Sequence, residues 1–380
     1  MAVDVTAPSI PVEPIAAAAA AVDREGRFPR EAIDALAGSG ALTIGVPAER
    51  GGPGGGPLDV LEAVEAVAGA CASTGMVYVM HLVATQTLLA GTPAADEGPK
   101  AQAIAEIARG EHLSTLAYSE RGSRGHFWAQ VSRARADGDE IVVDADKSWA
   151  TSAGEADSYV MAMGAPGGDD PLDSELYLVA ADSPGIEIPG RFDGLGMRGN
   201  ASAPLRVRGL RVASDRRLGK PHSGFGLMLQ ATLPWFALGS AACSLGIAGA
   251  AIQAASEHAA GARLEHLGAT LADVPGVRDR LARAKVRHME ARALAREVAA
   301  QIAAGSPEAQ LGVLAVKASA AEMAADVCDL CMRVGGGAAY SRHGSLERHL
   351  RDARAASIMA PTTDLLHDFI GKALTGQELF

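Results

Sequence analysis

The feature that most constrains the fold is the order in which two periodicities occur along the chain. Up to about residue 112, apolar residues recur at helical spacing, as in FPREAIDALAGSGA with its Pro-led start and Gly stop. From residue 113 to residue 216, short apolar runs such as EIVVDAD and ELYLVAAD are separated by Gly and Asp, which is typical of strands and turns. From Gly224 onward the helical spacing returns, most clearly in RDRLARAKVRHMEARALAREVAAQIAAG.

Helices and strands segregated in this way predict an α+β chain rather than a repeating βαβ fold. We predict three units: an N-terminal helical domain over 1–112, a middle β domain over 113–216 and a C-terminal helical bundle over 217–380. Of the 380 residues, 48% are hydrophobic but only 4% are aromatic, so the core must be built from Ala, Leu, Val and Gly.

The charge of the chain argues against two classes of partner. Its formal net charge is −11, whereas non-specific binding to nucleic acid or to an anionic membrane requires a basic surface. The sequence does not open with a charged segment followed by an apolar one, as a secretory signal does, so we expect a cytoplasmic protein. Four cysteines are too few for a disulfide scaffold and suit a reducing compartment.

Two stretches each allow two interpretations. Cys328 and Cys331 form a CxxC pair, but no second pair or nearby His accompanies it, so we favour ordinary helix residues and expect no metal site. The uncharged run 221–256 is long enough to cross a membrane. It contains Gln230, Pro234 and many Gly, Ala and Ser residues, without flanking positive charges. We therefore expect a helix packed on all sides inside a bundle, with no membrane insertion.

Common nucleotide-binding and catalytic motifs are absent from the sequence. No GxGxxG lies between a strand and a helix near the start, and there is no Walker loop. The stretch GGPGGGP (51–57) is Gly-rich, but its prolines and the lack of a following Lys indicate a flexible loop. GxSxG, HExxH and EF-hand sequences are also missing.

Five segments, in order and at matching spacing over nearly the whole chain, resemble the acyl-CoA dehydrogenases. They are GRFPREAIDALAGSGALTIGVPAERGGPGG (26–55), LAYSERGSRGH (116–126), DADKSWATSAGEADSYVMAM (144–163), GLGMRGNASAPLRVRGLRVASDRRLG (194–219) and RVGGGAAYSRHGSLERHLRDAR (333–354). The resemblance implies an all-α domain, a β domain and a C-terminal four-helix bundle around FAD, in a homodimer or homotetramer. FMN or a diffusible reduced flavin is the alternative cofactor. The implied substrate is small and carried by coenzyme A or an acyl carrier protein.

The resemblance also implies roles for individual residues. Tyr118 and Ser119 match residues that hydrogen-bond the edge of the isoalloxazine, partly through backbone groups, and Gly125 matches a position beside the pyrophosphate. Trp149 matches a residue that packs against the flavin ring, and Thr151 and Ser152 match residues facing its N5 and C4 side. Thr362 and Asp364 match positions near the flavin or ribityl chain. Arg333 replaces a Gln that reaches the neighbouring subunit's FAD, and Gly336 and Gly337 match the family's Gly-Gly pair. A Trp face with hydroxyls at a strand end is also suited to orienting a flavin on chemical grounds alone.

The expected catalytic carboxylate is missing. In the family, a Glu that removes the substrate's α-proton commonly follows the Arg-Asp-Ala helix, and that position is Ala360 here. Some members carry the base on the first helix of the bundle instead, where this chain has about Phe236 and Ala237. A well-placed base contributes roughly 10²–10⁴ in rate, so a replacement or another reaction is expected.

Two residues are the leading candidates to replace the base. His81 matches a helix position facing the far end of the acyl pocket, and a buried His near flavin suits acid–base work near neutral pH, although most such residues are structural. Asp364 lies one helical turn from Ala360, on the same face. His126 and His367 are weaker candidates.

The cofactor segments also depart from the family pattern. Arg121 and Arg124 replace Pro and Gly in the first flavin loop, and Pro275 occupies the position of a Gln that meets the partner's FAD. Guanidinium groups match phosphate oxygens, so Arg121, Arg124 and Arg333 are candidates for pyrophosphate binding, with a solvated surface role as the alternative.

Three functions fit these observations. The first is an FAD-dependent acyl-thioester oxidoreductase that passes hydride to flavin N5, with a relocated base or an unusual substrate. The second is a flavin monooxygenase of the same fold, in which reduced flavin reacts with O₂ and no α-proton base is needed. The third is a non-catalytic subunit, lacking the base, that stabilises an active paralogue.

Overall fold

The computed structural model describes residues 8–379 and has helices at both ends of the chain with strands between them. The first unit contains five α-helices. They are α1 (Val12–Glu25), α2 (Arg30–Gly38), α3 (Pro57–Ala70), α4 (Ala72–Gly91) and α5 (Pro99–Ala108). Short 3₁₀ turns at Ala41–Thr43 and Ala48–Arg50 connect α2 to α3.

The local sequence explains where these helices begin. Pro57 and Pro99 occupy the first positions of α3 and α5, where the fixed φ of proline suits a helix and its missing N–H leaves no intrahelical bond unmade. The Asp59 carboxylate accepts a hydrogen bond from the Gly56 N–H at 2.7 Å, which fixes the entry to α3. Most of α4 is buried, which explains why it has no polar face.

The middle unit contains two four-stranded sheets. Its strands are β1 (Ser114–Ala117), β2 (Arg135–Asp137), β3 (Glu140–Ala150), β4 (Ser158–Gly164), β5 (Ser174–Ala180), β6 (Ile186–Glu187), β7 (Ala203–Ala213) and β8 (Arg217–Leu218). The first sheet has the order β1-β4-β5-β8, with β1 parallel to β4 and the other pairs antiparallel. The second sheet is antiparallel, in the order β2-β3-β7-β6.

The two sheets share a core. Tyr159, Met161 and Tyr177 from the first sheet cluster with Val207 and Leu210 from the second. Buried residues alternate with more exposed ones along β3, as expected for a strand with one covered face. β8 lies beyond the expected limit of the β domain at residue 216, because it pairs with β5 and continues the first sheet. A strand of two residues is too short to give a periodic signal in the sequence.

The C-terminal unit is helical, as expected. It consists of α6 (Gly224–Leu227), a π-helical turn (Met228–Thr232), α7 (Leu233–Gly261), a small hairpin of β9 (Arg263–Leu264) and β10 (Ala269–Thr270), α8 (Pro275–Ala303), α9 (Ala309–Ala339), α10 (Leu346–Ala353), α11 (Ala355–Ile358) and α12 (Thr363–Leu374). The long helices α7, α8 and α9 pack on one another, and α12 packs on α9. The α+β architecture predicted from the sequence is therefore confirmed.

The apolar run of the sequence forms α7, a core helix. The continuous segment Gly224–Gly261 is long and apolar enough to span a membrane, but 78% of its most apolar window is buried within the fold. α7 contacts α3, α4, α8 and α9. A Cβ on Gly246 would lie 2.3 Å from the Glu65 carbonyl oxygen, so α3 and α7 approach too closely for any larger residue there. The prediction of a helix packed on all sides is confirmed.

Cys328 and Cys331 lie on α9 as buried, free thiols. Burial raises the pKa of both thiols, most strongly that of Cys328, which makes them poor nucleophiles. Across residues 8–379, no group of three or more His, Cys, Asp or Glu side chains is arranged to hold a metal ion.

The Arg-Asp-Ala segment on α10 ties the three units together. Arg351 binds both carboxylate oxygens of Asp23 on α1, at 2.7 and 2.9 Å, and donates to the Leu195 carbonyl at 3.0 Å. The next residue, Asp352, accepts a hydrogen bond from the Met197 N–H at 2.6 Å. One turn of α10 therefore fixes the N-terminal helix and the end of the β domain relative to the C-terminal helices.

Candidate functional site

The loop that follows β1 is anchored by a buried ion pair. Lys147 Nζ on β3 lies 2.6 Å from Glu120 Oε1, and the side chains of both residues are at most 2% exposed. The other Glu120 oxygen accepts the N–H groups of Val131 and Ser132, each at 2.6 Å. Burial opposes ionisation of Glu120, but the Lys147 ammonium and these donors hold the pKa of that carboxyl below its usual value. The loop at residues 118–126, called here the β1 loop, is therefore attached firmly to β3.

Backbone hydrogen bonds place the β1 loop beside Trp149. The Ser148 N–H donates to the Ser119 carbonyl at 2.8 Å, and the Arg121 N–H donates to the Asp146 carbonyl at 2.9 Å. Trp149 follows directly and is 66% exposed, and its ring meets that of Phe192 edge-on at a centroid distance of 6.2 Å. An indole held on a strand but left uncovered offers a flat face for a planar ring.

Two hydroxyls lie just beyond Trp149. Thr151 Oγ1 is 3.1 Å from Ser202 Oγ, and the Ser152 N–H donates to the Asn200 carbonyl at 2.9 Å. Thr151 and Ser152 are both buried in this chain.

Backbone strain is concentrated around this region. Five non-glycine residues among those described have positive φ, and three of them lie here: Arg124 in the β1 loop, Ser152 after Trp149, and Ala201, whose carbonyl accepts the Ala153 N–H at 3.1 Å. Such conformations cost of order 1–3 kcal/mol each and are commonest at functional sites.

The β1 loop also contacts the last helix. A Cβ placed on Gly125 would lie 3.5 Å from Thr362 Cγ2. Thr362 caps α12, since its hydroxyl accepts the Leu365 N–H at 3.4 Å. The structure therefore brings the segments around Ser119, Gly125 and Trp149 together with Thr362, which lies more than 200 residues further along the sequence.

The Tyr118 side chain has a different environment from the one expected. Its ring is buried and stacks on Phe127 at 6.1 Å, and its hydroxyl lies 3.2 Å from Thr232 Oγ1 on the π-helical turn. Thr232 in turn lies 2.9 Å from Thr87 on α4. The side chain therefore links the β1 loop to the helical core, and the Tyr118 carbonyl accepts a hydrogen bond from Lys147 Nζ at 3.4 Å. Sequence reasoning missed this chain of hydroxyls.

Arg333, Gly336 and Gly337 lie at the surface near the end of α9. Gly336 has φ +55° and ψ −138°, which interrupts the helix and requires glycine. Their expected contacts are with FAD in a neighbouring subunit, so these roles stay predictions.

The position of His81 argues against the acid–base role expected for it. The ring is fully buried, and its Nδ1 accepts the Ser114 N–H at 3.1 Å, at the beginning of β1. Four residues of strand, roughly 13 Å, separate that point from Tyr118. Burial lowers the pKa of His81 to about 4, so the ring is neutral at physiological pH. His81 acts as a structural link between α4 and β1.

The Asp364 prediction needs a correction in its geometry. α11 ends at Ile358 and α12 begins at Thr363, so Ala360 lies in a turn between them and shares no helical face with Asp364. Asp364 itself is exposed in the first turn of α12. His367 lies further along α12, where its ring nitrogen is 3.6 Å from Glu322 on α9.

One charged residue that contacts the turn around Ala360 was not predicted from the sequence. Lys317 on α9 donates to the carbonyls of Ala356, Met359 and Pro361 at 3.0, 3.0 and 2.8 Å. Burial lowers the pKa of Lys317 to about 7. The available signal was a single Lys inside the apolar stretch VLAVKASAA.

The residues gathered here suit a flavin. An uncovered indole, nearby hydroxyls and a loop with no side chain at Gly125 match a planar ring with a polar edge and a phosphate-bearing tail. The N-terminus of α12 beside Gly125 favours negative charge.

Comparison with known proteins identifies the family. Three family models, described as the N-terminal, middle and C-terminal domains of acyl-CoA dehydrogenase, match residues 9–111, 115–210 and 222–375 of this chain. The chain is 31% identical over 349 residues to the mitochondrial short-chain specific acyl-CoA dehydrogenase of Bos taurus, covering 91% of this chain and 83% of that protein.

A bacterial relative and a solved structure agree. The probable acyl-CoA dehydrogenase YngJ of Bacillus subtilis is 29% identical over 356 residues, which are 93% of this chain and 92% of YngJ. Butyryl-CoA dehydrogenase from Megasphaera elsdenii has the same fold, with a TM-score of 0.89 at 23% identity over 96% of this chain and 94% of that one. With all three domains matched in order, the chain belongs to the acyl-CoA dehydrogenase family, whose members are FAD-dependent oxidoreductases.

Proposed function

We propose that the chain binds FAD and oxidises a small acyl thioester, carried by coenzyme A or an acyl carrier protein, as a cytoplasmic homodimer or homotetramer. One observation carries the proposal: the β1 loop contacts both of the segments that are expected to face the flavin. It is hydrogen-bonded to the strand before Trp149 through Ser119, and it lies against Thr362 through Gly125. The similar short-chain and butyryl-CoA dehydrogenases support a short acyl group.

The chain's own residues would hold and orient the cofactor. Trp149 would cover the ring, while backbone groups at Tyr118 and Ser119 and the hydroxyl of Thr151 would hydrogen-bond its polar edge. Gly125 and the N-terminus of α12 at Thr362 would accommodate the pyrophosphate. When bound, FAD supplies the hydride acceptor. Asp364 and Ser152 are proposed to contact the same cofactor, and Arg333, Gly336 and Gly337 a partner subunit's FAD.

Proton removal is the step for which the chain lacks the usual group. Ala360 cannot accept a proton, and the alternative position is occupied by Phe236. Asp364, exposed two residues beyond Thr362, is the proposed acceptor. The same vacancy supports a second candidate, a monooxygenase that uses reduced flavin and O₂, because that reaction needs no α-proton base.

The test begins with purified protein and added FAD. A bound flavin with a shifted absorbance spectrum supports the proposal, and a preparation that stays colourless after incubation with FAD contradicts it. Under anaerobic conditions, bleaching of the visible absorbance of the bound flavin on addition of short acyl-CoAs identifies the oxidoreductase. Oxygen uptake that depends on NADH and a supplied flavin reductase, without such bleaching, identifies the monooxygenase instead.

A further inference from the structure

Lys317 makes an unusual set of contacts for a buried lysine. Its side chain emerges from α9 and is 1% exposed. All three ammonium hydrogens have backbone acceptors: the carbonyl oxygens of Ala356, Met359 and Pro361, between 2.8 and 3.0 Å away. Within the described residues, the lysines that form ion pairs are Lys100, Lys147 and Lys372, and the hydrogen-bond partners of Lys317 are these three carbonyls.

The turn that it contacts cannot satisfy these carbonyls by itself. α11 is only four residues long and ends at Ile358, so its last carbonyls have no helical partners. The following turn contains Pro361, which has no N–H to donate. Buried carbonyls without donors are costly, and Lys317 supplies donors to three of them at once.

Two of these carbonyls belong to the neighbours of Ala360, the position at which the family's catalytic carboxylate is expected. Met359 and Pro361 flank Ala360, and Thr362, which follows at once, lies against Gly125 of the β1 loop. The orientation of this turn therefore decides where a side chain at residue 360 and the Thr362 hydroxyl lie relative to the proposed cofactor.

Lys317 also lies beside the alternative base position. Its Nζ is 5.8 Å from the centre of the Phe236 ring on α7, within the range of a cation–π contact. One ammonium thus contacts both segments on which related enzymes place their proton acceptor.

We propose that Lys317 is a positioning residue of the reaction site, whose ammonium holds the Ala356–Pro361 turn so that residue 360 and Thr362 keep fixed places beside the cofactor. The inference rests on the proposed function and adds a residue to it. Lys317 does not itself contact the substrate. It acts through the turn, and its loss should therefore affect the site more than the global fold.

The first test measures the turn without any cofactor. Lys317→Met keeps the length of the side chain but removes the three donors. Lys372→Met removes a partly exposed lysine from α12 and serves as the matched control. Hydrogen exchange followed by mass spectrometry should show at least about 10-fold faster exchange, confined to peptides covering 356–366, in Lys317→Met alone. Unchanged exchange there overturns the proposal.

The second test measures the site. FAD affinity, from titration of flavin fluorescence, should fall about 10-fold or more in Lys317→Met and remain unchanged in Lys372→Met. The spectrum of the remaining bound FAD should shift toward that of free FAD. If Lys317→Met does not fold, Lys317→Gln, which keeps two donors, should show an intermediate loss. A folded variant with wild-type affinity and spectrum contradicts the inference.

A double variant separates positioning from stability. Ala360→Glu should increase the rate of flavin reduction by acyl-CoA in the parent chain, and that gain should fall about 10²-fold in the Lys317→Met background. An equal gain in both backgrounds overturns the inference. If the parent chain binds no FAD at all, the proposed function fails, while the hydrogen-exchange result still decides the role of Lys317.

Discussion

Lys147 Nζ on β3 lies 2.6 Å from Glu120 Oε1 in the β1 loop, and water is excluded from both groups. The same ammonium donates to Gln130 Oε1 at 3.1 Å and to the Ala162 carbonyl. A single buried cation therefore connects the β1 loop, the second sheet through β3 and the first sheet through β4. Any change to this ion pair should affect both stability and the geometry of the cofactor site.

Lys147→Met should destabilise the fold by about 3–5 kcal/mol, because it leaves the Glu120 carboxylate buried without its counter-ion. Urea unfolding followed by circular dichroism measures the change. The double variant Lys147→Met/Glu120→Met should recover part of the loss, since no charge then remains unpaired. Lys285→Met, at an exposed lysine on α8, is the control and should change stability by less than about 0.5 kcal/mol. Equal effects at Lys147 and Lys285 would disprove the role given to the buried pair.

Trp149 should be important for cofactor binding and unimportant for folding. Its side chain is 66% exposed, so Trp149→Ala should change the free energy of unfolding by less than about 0.5 kcal/mol. Loss of the stacking face should weaken FAD binding by about 10-fold. Leu195→Ala, at a residue with 69% exposure, is the matched control and should leave FAD affinity unchanged. If Trp149→Ala binds FAD as well as the parent, the ring is not held at this strand.

The architecture could be predicted because its signals are local and repeated. The alternation along β3 and the uninterrupted apolar run of α7 each extend over many residues, so the change from one periodicity to the other was visible in the sequence. β8 lies just beyond the predicted limit of the β domain at residue 216, because two residues carry no period. Its strand character depends on pairing with β5, which is a tertiary contact.

The candidate site was predicted less completely, for a physical reason. Motifs identify residues such as Ser119 and Trp149, but they do not show which way a side chain points. The Tyr118 ring points into the helical core, and His81 bonds to a backbone N–H at the far end of β1. The contact of Lys317 with three carbonyls 39 to 44 residues away arises only when α9 packs against the turn before α12.

His81 should contribute to stability and not to turnover. Burial lowers its pKa to about 4 in the folded chain, against about 6.5 when unfolded. The unfolded chain therefore binds a proton that the folded chain does not, and folding loses up to about 3 kcal/mol as pH falls from 6.5 to 4.

His81→Leu tests this assignment. It should reduce stability at pH 7.5 by about 1–3 kcal/mol, because the Ser114 N–H loses its acceptor. The variant should also lack the acid-dependent loss that His81 causes, as measured by urea unfolding at pH 7.5 and pH 5. Flavin reduction by substrate, measured well below the melting temperature, should match the parent. A large drop in that rate with stability preserved would restore His81 as a catalytic candidate.

Asp352 should show the opposite pH dependence. It is 3% exposed, and burial raises the pKa of its carboxyl to about 6 even though the Met197 N–H donates to it. The unfolded pKa is about 3.9. Between these values the folded chain holds a proton that the unfolded chain releases. The stability that the protonated Asp352 contributes is therefore present below about pH 4 and is lost as pH rises through 6.

Asp352→Asn keeps an acceptor for the Met197 N–H but cannot ionise. Relative to the parent, the variant should gain stability with rising pH, by about 1–3 kcal/mol between pH 4.5 and pH 7.5. Urea unfolding of both proteins across that range measures the difference, in which the titrations of all other groups largely cancel. If the difference is flat with pH, Asp352 is ionised throughout, favoured by the nearby positive charges of Arg351 and Arg348. The Met197 N–H, which links the β domain to α10, would then donate to a carboxylate rather than to a neutral acid.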